Sequence, residues 1–441
     1  MRGGVRQLVS GRMWLLDKML GKLIRTGRME VIDYDGRSYS YGPGSEAPIR
    51  IRLTSPKASR HIARYPQIGA GEAYMWGWLV VEPPHDIRDL VLFVTANGKG
   101  SDEASFRAKG PMRKLANFAA SRIDSYNNRH AARANAEHTY NLTRRLYELF
   151  LDEDRQYTMA YYRDPANSLE QAQLDKKAHI AGKLYMQPGK TAGMRVLDIG
   201  CGWGGLALYL HKHYDVDVLG VALAPDQIEF CRERAARAGV ADRVKFELMD
   251  YRDVRGEFDR ITSVGLLEHV GTPQYPDFFR HTYTLLKPDG VMFSHCCGRA
   301  RGPGFTDAWT RKYIFPGGYI PALSELVSES EKAGFQIMDV EGMRFHYSHT
   351  LEEWYRRTRL HREEIVEMYD ETFYRMWEFY LCGAEQAFRN GGMLNWQLQY
   401  VKRRDAIPMT RDYMELESAR LRASDTAPQW HLDPALRVAA E

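Results

Sequence analysis

No stretch of this chain stays apolar for the roughly 18 residues that a membrane span requires. The first residues lack an uninterrupted apolar core followed by a small-residue cleavage site, so no secretory leader is read. Cysteine is scarce: Cys201, Cys231, Cys296, Cys297 and Cys382 are odd in number and scattered through apolar segments. That excludes a disulfide framework and zinc-ligand spacing, and points to a reducing, cytoplasmic compartment. Neither sign of charge dominates, with 61 Lys and Arg against 57 Asp and Glu, so overall charge gives no reason to expect a nucleic-acid partner. No internal repeat is present. The charge is nevertheless uneven, because the first thirty residues hold Arg2, Arg6, Arg12, Lys18, Lys22, Arg25 and Arg28 against only Asp17 and Glu30.

What is present fills about two domains, and with 44% apolar residues the chain can bury a full core. Leu16, Met19, Leu20, Leu23 and Ile24 recur at helical spacing, which predicts a basic amphipathic helix within 1–28. Such a helix either lies in a membrane interface or packs on its own domain, and the pattern alone does not choose. Short alternating runs such as Ile49-Arg-Ile-Arg-Leu53 and Met75-Trp-Gly-Trp-Leu-Val-Val81 predict a β-rich domain and linker over 29–134. From 135 to 413 strands and helices alternate, as in a mostly parallel, doubly wound α/β sheet. Its strands are expected at 195–199, 216–221, 244–249, 258–264, 291–296 and 336–341. A long helix is expected over 350–391, and a loose tail over 414–441.

The most informative segment is Arg195-Val-Leu-Asp-Ile-Gly-Cys-Gly-Trp-Gly-Gly205, a short apolar strand running into glycines and then a helix. Glycine turns freely and lets a ligand lie on the main chain. Gly200, Gly202 and Gly205 satisfy G-x-G-x-x-G, which by itself is weak. A dinucleotide site needs an acid about 20 residues on, yet the next strand, Val216-Asp-Val-Leu-Gly-Val-Ala-Leu223, ends at Ala222. Asp198 with Gly200, Gly202 and Gly204 forms D-x-G-x-G-x-G, which favours S-adenosylmethionine over a dinucleotide and over a turn without a ligand.

Further motifs follow in order: Gln156-Tyr-Thr-Met-Ala-Tyr-Tyr162, Gln171-Ala-Gln173, Gly265-Leu-Leu-Glu-His-Val-Gly271, Ile314-Phe-Pro-Gly-Gly318 and His346-Tyr347. Together with the glycine loop they resemble the cyclopropane fatty acid synthase and mycolic acid methyltransferase family, over roughly 135–413. The N-terminal domain is similar to that of bacterial synthases acting on phospholipids. The resemblance implies a class I methyltransferase fold, Rossmann-like, with helical lipid-binding insertions. It implies that the double bond of an acyl chain attacks the methyl of S-adenosylmethionine, and that bicarbonate then removes a proton so that a cyclopropane ring closes. Carried over by position, the cofactor residues are Tyr157, Thr158, Asp198, Gly200, Gly202, Gly204, Ala222, Gln227, Asp250 and Tyr251. Glu268, His295 and Tyr347 form the implied bicarbonate and base site. Two positions depart from the family: Met159 stands where a cysteine is usual, and Cys297 where an isoleucine is usual. The implied partners are unsaturated phospholipid acyl chains and the inner membrane surface, met peripherally, with a homodimer as the implied assembly. A dry cavity is required for a cationic intermediate, and Phe305, Trp309, Tyr313, Phe315 and Tyr319 are candidates to line it. The alternatives are methylation without ring closure, and a lipid-binding protein that keeps the fold without the chemistry.

Overall fold

The computed structural model describes residues 10–66, 68–98 and 142–425. The chain divides into two compact units, and neither is continuous in sequence. The first takes the N-terminal residues together with Asp307–Tyr313 and His361–Gly391, and the second takes the rest.

In the first unit, β1 (Met29–Ile32), β2 (Ser38–Tyr41), β3 (Ile49–Leu53) and β4 (Leu79–Val81) form a sheet ordered β2-β1-β3-β4. In β3, Ile49, Ile51 and Leu53 are buried and the arginines between them face water, the alternation of a half-buried strand. The unit is less β-rich than expected. Helices Trp14–Leu23, Ala58–Arg64, Gly69–Met75 and Ile87–Asn97 surround the sheet, and only the end of the Met75–Val81 run is strand. The Glu371–Arg389 helix joins this unit through buried Glu385, which accepts from Arg88 at 2.6 and 2.8 Å. Gly71 allows close packing there, since a Cβ at that position would strike Trp309 and Phe379. The long helix expected over 350–391 is therefore three helices, His346–Leu360, Arg362–Met368 and Glu371–Arg389, shared between the two units.

In the same unit Leu16, Leu20 and Leu23 of the Trp14–Leu23 helix are buried, so the apolar face packs on its own domain. Residues 1–9 and the expected linker over 99–134 lie outside the described residues.

The second unit is a seven-stranded sheet ordered β10-β11-β9-β8-β5-β6-β7. Its strands are β5 (Arg195–Ile199), β6 (Asp217–Ala222), β7 (Val244–Leu248), β8 (Phe258–Val264), β9 (Leu286–Arg299), β10 (Gln336–Met343) and β11 (Met393–Val401). From β7 to β9 all pairings are parallel, whereas β11 runs antiparallel to both of its neighbours. Six of these strands match the expectation; β11, wedged between β9 and β10, was not foreseen. Apolar cores cover both faces, one around Val196, Leu210 and Phe246 and the other around Leu197, Phe278 and Leu398. Residues 426–441 lie outside the described residues, and the loose tail expected over 414–441 is corrected in its first part, since Asp412–Ser424 is helix. Within it Met414, Ser418 and Leu421 are buried, and Ser418 Oγ donates to the Ala178 carbonyl of the Leu169–Lys183 helix.

Candidate functional site

At the carboxyl end of β5 the chain turns through Gly200, Gly202 and Gly204, with φ of +80°, +52° and +80°. The turn is tied to β6, because the Gly200 and Cys201 amides both donate to the Val221 carbonyl, at 2.8 and 3.2 Å. A cavity opens here, walled by Tyr157 and Thr158, by Asp198, Gly200 and Gly202, by Ala222 and Gln227, and by Asp250 and Tyr251. Lys176, Val264 to Leu266, His269, Val270, Pro316 and Gly317 also line it. A Cβ on Gly202 would meet no protein atom within 4 Å, so a side chain there would occupy ligand space. Gly204 is the exception among the expected cofactor residues. It is not on the wall, and a Cβ there would press on Cys231 Sγ and Phe246, both at 2.9 Å. Its glycine serves the packing behind the loop.

Electrostatics single out two groups on this wall. Burial alone raises the Asp198 carboxyl to about 7. Lys176, buried on the neighbouring Leu169–Lys183 helix, is lowered to about 7, first by desolvation. Asp250 accepts from Arg252 at 2.8 and 2.6 Å while capping the short turn Tyr251–Asp253, so it has a structural task besides its place on the wall. His269 is lowered to about 4 by burial, which keeps it neutral.

Sequence reasoning missed how the Gln156–Thr158 segment is held. Gln173 Nε2 donates to the carbonyls of Gln156 and Thr158, at 3.2 and 3.0 Å, and Lys176 Nζ donates to Thr158 Oγ1 at 2.8 Å. The Gln171-Ala-Gln173 motif carried that signal, one helical turn before Lys176. Tyr157 stacks on Trp354 with ring centroids 5.2 Å apart.

None of the expected base-site residues Glu268, His295 and Tyr347 lines the cavity. Glu268 accepts from the Cys297 amide through Oε1, and its Oε2 is buried without a hydrogen-bond partner among the described residues. Burial raises its carboxyl above the ordinary glutamate range. His295, on β9, is wholly buried, and its carbonyl accepts from the Gly265 amide of the cavity wall at 2.8 Å. Met159 is buried beside Thr158. Tyr347 lies at the start of the His346–Leu360 helix and packs edge-on to Trp354 at 5.9 Å, so the structure links it to Tyr157 through Trp354. Two more buried residues, Asn395 and Gln397 on β11, face His295 at 3.4 and 3.0 Å. The aromatic run divides between the units. Trp309 packs on Phe379 in the first, while in the second Phe315 packs on His269 and Tyr319 bonds to Glu325.

The mycolic acid cyclopropane synthetase family matches this chain over residues 127–398. The chain is 34% identical over 354 residues to the cyclopropane-fatty-acyl-phospholipid synthase of Escherichia coli, covering 80% of this chain and 88% of that one. It is 30% identical over 393 residues to a probable fatty acid methyltransferase of Pseudomonas putida, covering 86% and 94%. Among solved structures it resembles mycolic acid cyclopropane synthase CmaA1 complexed with SAH and CTAB, at 28% identity and a TM-score of 0.57, over 61% of this chain and 97% of that one.

Proposed function

The chain belongs to the mycolic acid cyclopropane synthetase family, and from that premise we propose that it methylates the double bond of an unsaturated phospholipid acyl chain and closes a cyclopropane ring. It is an S-adenosylmethionine-dependent methyltransferase with a class I, Rossmann-like fold. The observation that carries the reading is one cavity gathering nine of the ten expected cofactor residues around an open glycine loop.

S-adenosylmethionine, when bound, supplies an electrophilic methyl group. Gly200 and Gly202 give it a wall of bare backbone, and Asp198 supplies negative charge for its cationic end. Gln227, buried and able both to donate and to accept, takes the place of the ribose acid that the β6 end lacks. An alkene is a weak nucleophile, so orientation and exclusion of water carry much of the rate. Glu268 then manages the proton: its unpartnered Oε2 and raised carboxyl pKa fit a group that shares a proton with a nearby anion such as bicarbonate.

A peripheral place on the inner membrane surface accords with this substrate. No helix among the described residues is long and apolar enough to cross a membrane. Trp14 and Leu15 are 57% and 45% exposed, with Lys18 4.9 Å over the Trp14 ring and Lys22 exposed nearby.

Methylation without ring closure is a second reading, favoured by buried Met159 and by the likeness to a probable fatty acid methyltransferase. Mass spectrometry of lipids from cells expressing this chain separates the two. Cyclopropane acyl chains, lost in Glu268→Gln, support ring closure; methylated or methylene chains without a ring reject it. Lipid association without release of S-adenosylhomocysteine would reject methyl transfer altogether.

A further inference from the structure

Gly205, the third glycine of the G-x-G-x-x-G spacing, does not line the cavity. In a dinucleotide loop that glycine lets the helix pack closely on the strand. Here the space it leaves is taken by an acid. A Cβ on Gly205 would strike the Asp154 carboxylate, and would lie 2.5 Å from Gln156 Nε2. Gly205 opens the Gly205–Tyr214 helix, and negative charge is favoured beside a helix start.

The Asp154 carboxylate takes donors from three places in the chain. Oδ2 accepts from Lys177 Nζ at 2.8 Å and from Gln156 Nε2 at 3.0 Å. Oδ1 accepts from Arg234 of the Pro225–Arg237 helix, whose Nη1 donates to the Trp203 carbonyl at 2.9 Å. Burial would raise the carboxyl, but Lys177 and Arg234 hold it well below the usual carboxylate range, so it stays charged.

Residues 155–158 and 200–203 are two stretches of the cavity wall. Asp154 precedes the first and, through Arg234, reaches the carbonyl that ends the second. Arg155 has a φ of +55°, a left-handed conformation that persists only where the surroundings impose it. Asp152 helps to impose it, accepting from the Gln156 and Asp154 amides at 2.8 and 3.2 Å. Tyr147 also joins the two stretches, packing edge-on to Tyr157 and Trp203 at 5.4 and 5.6 Å. That contact is apolar and non-directional, whereas charged hydrogen bonds fix a length and a direction.

We propose that Asp154 is a positioning residue for the cofactor: its clasp with Lys177 and Arg234 sets the spacing between the 155–158 and 200–203 walls, and Gly205 leaves the room it needs. The proposal rests on the S-adenosylmethionine assignment above and adds to it a residue that does not line the cavity.

Calorimetric titration of the full chain with S-adenosylhomocysteine, well below each variant's melting temperature, tests the clasp. A variant that is merely less stable is still folded there, so its Kd does not move. Asp154→Ala should raise Kd roughly tenfold, the lower range of a lost charged hydrogen bond. Gly205→Ala should do the same by pushing the carboxylate out. The double variant should bind no worse than the poorer single one, because both changes remove one clasp. Independent losses, multiplying to roughly a hundredfold, overturn the proposal. So does a lowered melting temperature with unchanged Kd, which would make Asp154 a stabilising residue alone. If Asp154→Ala does not fold, Arg234→Gln cuts the clasp from its partly exposed end and carries the same expectation. A wild-type chain that binds no S-adenosylhomocysteine rejects the cofactor assignment itself, whereas wild-type binding with unmoved variants rejects the clasp.

Discussion

Gly202 and Gly204 lie two residues apart with positive φ, yet they answer to different constraints. Gly202 faces the cavity, and Gly204 faces Cys231 and Phe246 behind the loop. Gly202→Ala should weaken S-adenosylhomocysteine binding severely while costing only about 1–2 kcal/mol of left-handed strain. Gly204→Ala should lose more stability, from the same strain plus overpacking of about 1–3 kcal/mol. Calorimetric titration and thermal melts on both variants check this, and an undiminished affinity in Gly202→Ala would show that the ligand does not touch that backbone. Asp198 and Lys176 give a pH signature. In the protein alone the Asp198 carboxyl holds its proton up to about 7, and the Lys176 amine begins to release its own near the same value. A cationic ligand favours carboxylate over acid and amine over ammonium, so binding expels protons from both. Affinity for S-adenosylmethionine should therefore rise with pH through about 7, with a shallower rise in Asp198→Asn. Titration in buffers of different ionisation heat measures the released protons. Affinity that falls as pH rises would refute the assignment.

At the scale of elements, the His346–Leu360 and Leu169–Lys183 helices are joined by a buried ion pair. Arg357 donates to Glu170 at 2.8 and 3.0 Å, and to the Leu151 carbonyl at 3.2 Å. Both side chains are 2% exposed. Arg357 keeps a second carboxylate, Glu353 at 2.7 Å, so Glu170→Leu should cost about 1.5–3 kcal/mol in urea unfolding, the worth of a charged hydrogen bond. The double change Glu170→Leu with Arg357→Met should recover part of it, since Glu353 then keeps Arg356 as its partner. A double variant as unstable as the single one would place the cost in packing. These helices matter to the site because one carries Gln173 and Lys176, which hold Gln156 to Thr158, and the other carries Trp354, on which Tyr157 stacks.

For the whole molecule the open question is how a protein with no crossing helix among its described residues reaches an acyl chain. Exposed Trp14 and Leu15, ringed by Arg12, Lys18 and Lys22, make a surface that an anionic headgroup layer complements. Binding to anionic vesicles should exceed binding to neutral ones and weaken with salt, because exposed charges are screened over about 10 Å at 0.1 M. Trp14→Ser with Lys18→Glu should reduce vesicle binding without altering S-adenosylhomocysteine affinity. Equal affinity for neutral vesicles would refute the electrostatic part.

The glycine loop was legible in the sequence because its geometry is local: a strand, positive-φ turns and a helix occupy eleven consecutive residues, and each glycine acts on its own backbone. Six of the seven strands of the α/β sheet were legible for a similar reason, since an apolar run between turns marks a buried strand wherever it pairs. β11 was not. Its face reads Asn395, Gln397, Gln399, an amide at every second position, which resembles a solvent face until β9 and β10 close over both sides. The same closure brings Asn395 and Gln397 to His295 across a hundred residues of chain. Nor did periodicity reveal that 350–391 is divided between two units, because each helix there is amphipathic and a stripe does not name the surface it packs against. Backbone conformation and burial pattern are written residue by residue. Which buried polar group meets which depends on strand register and on the second layer, and only the folded chain settles that.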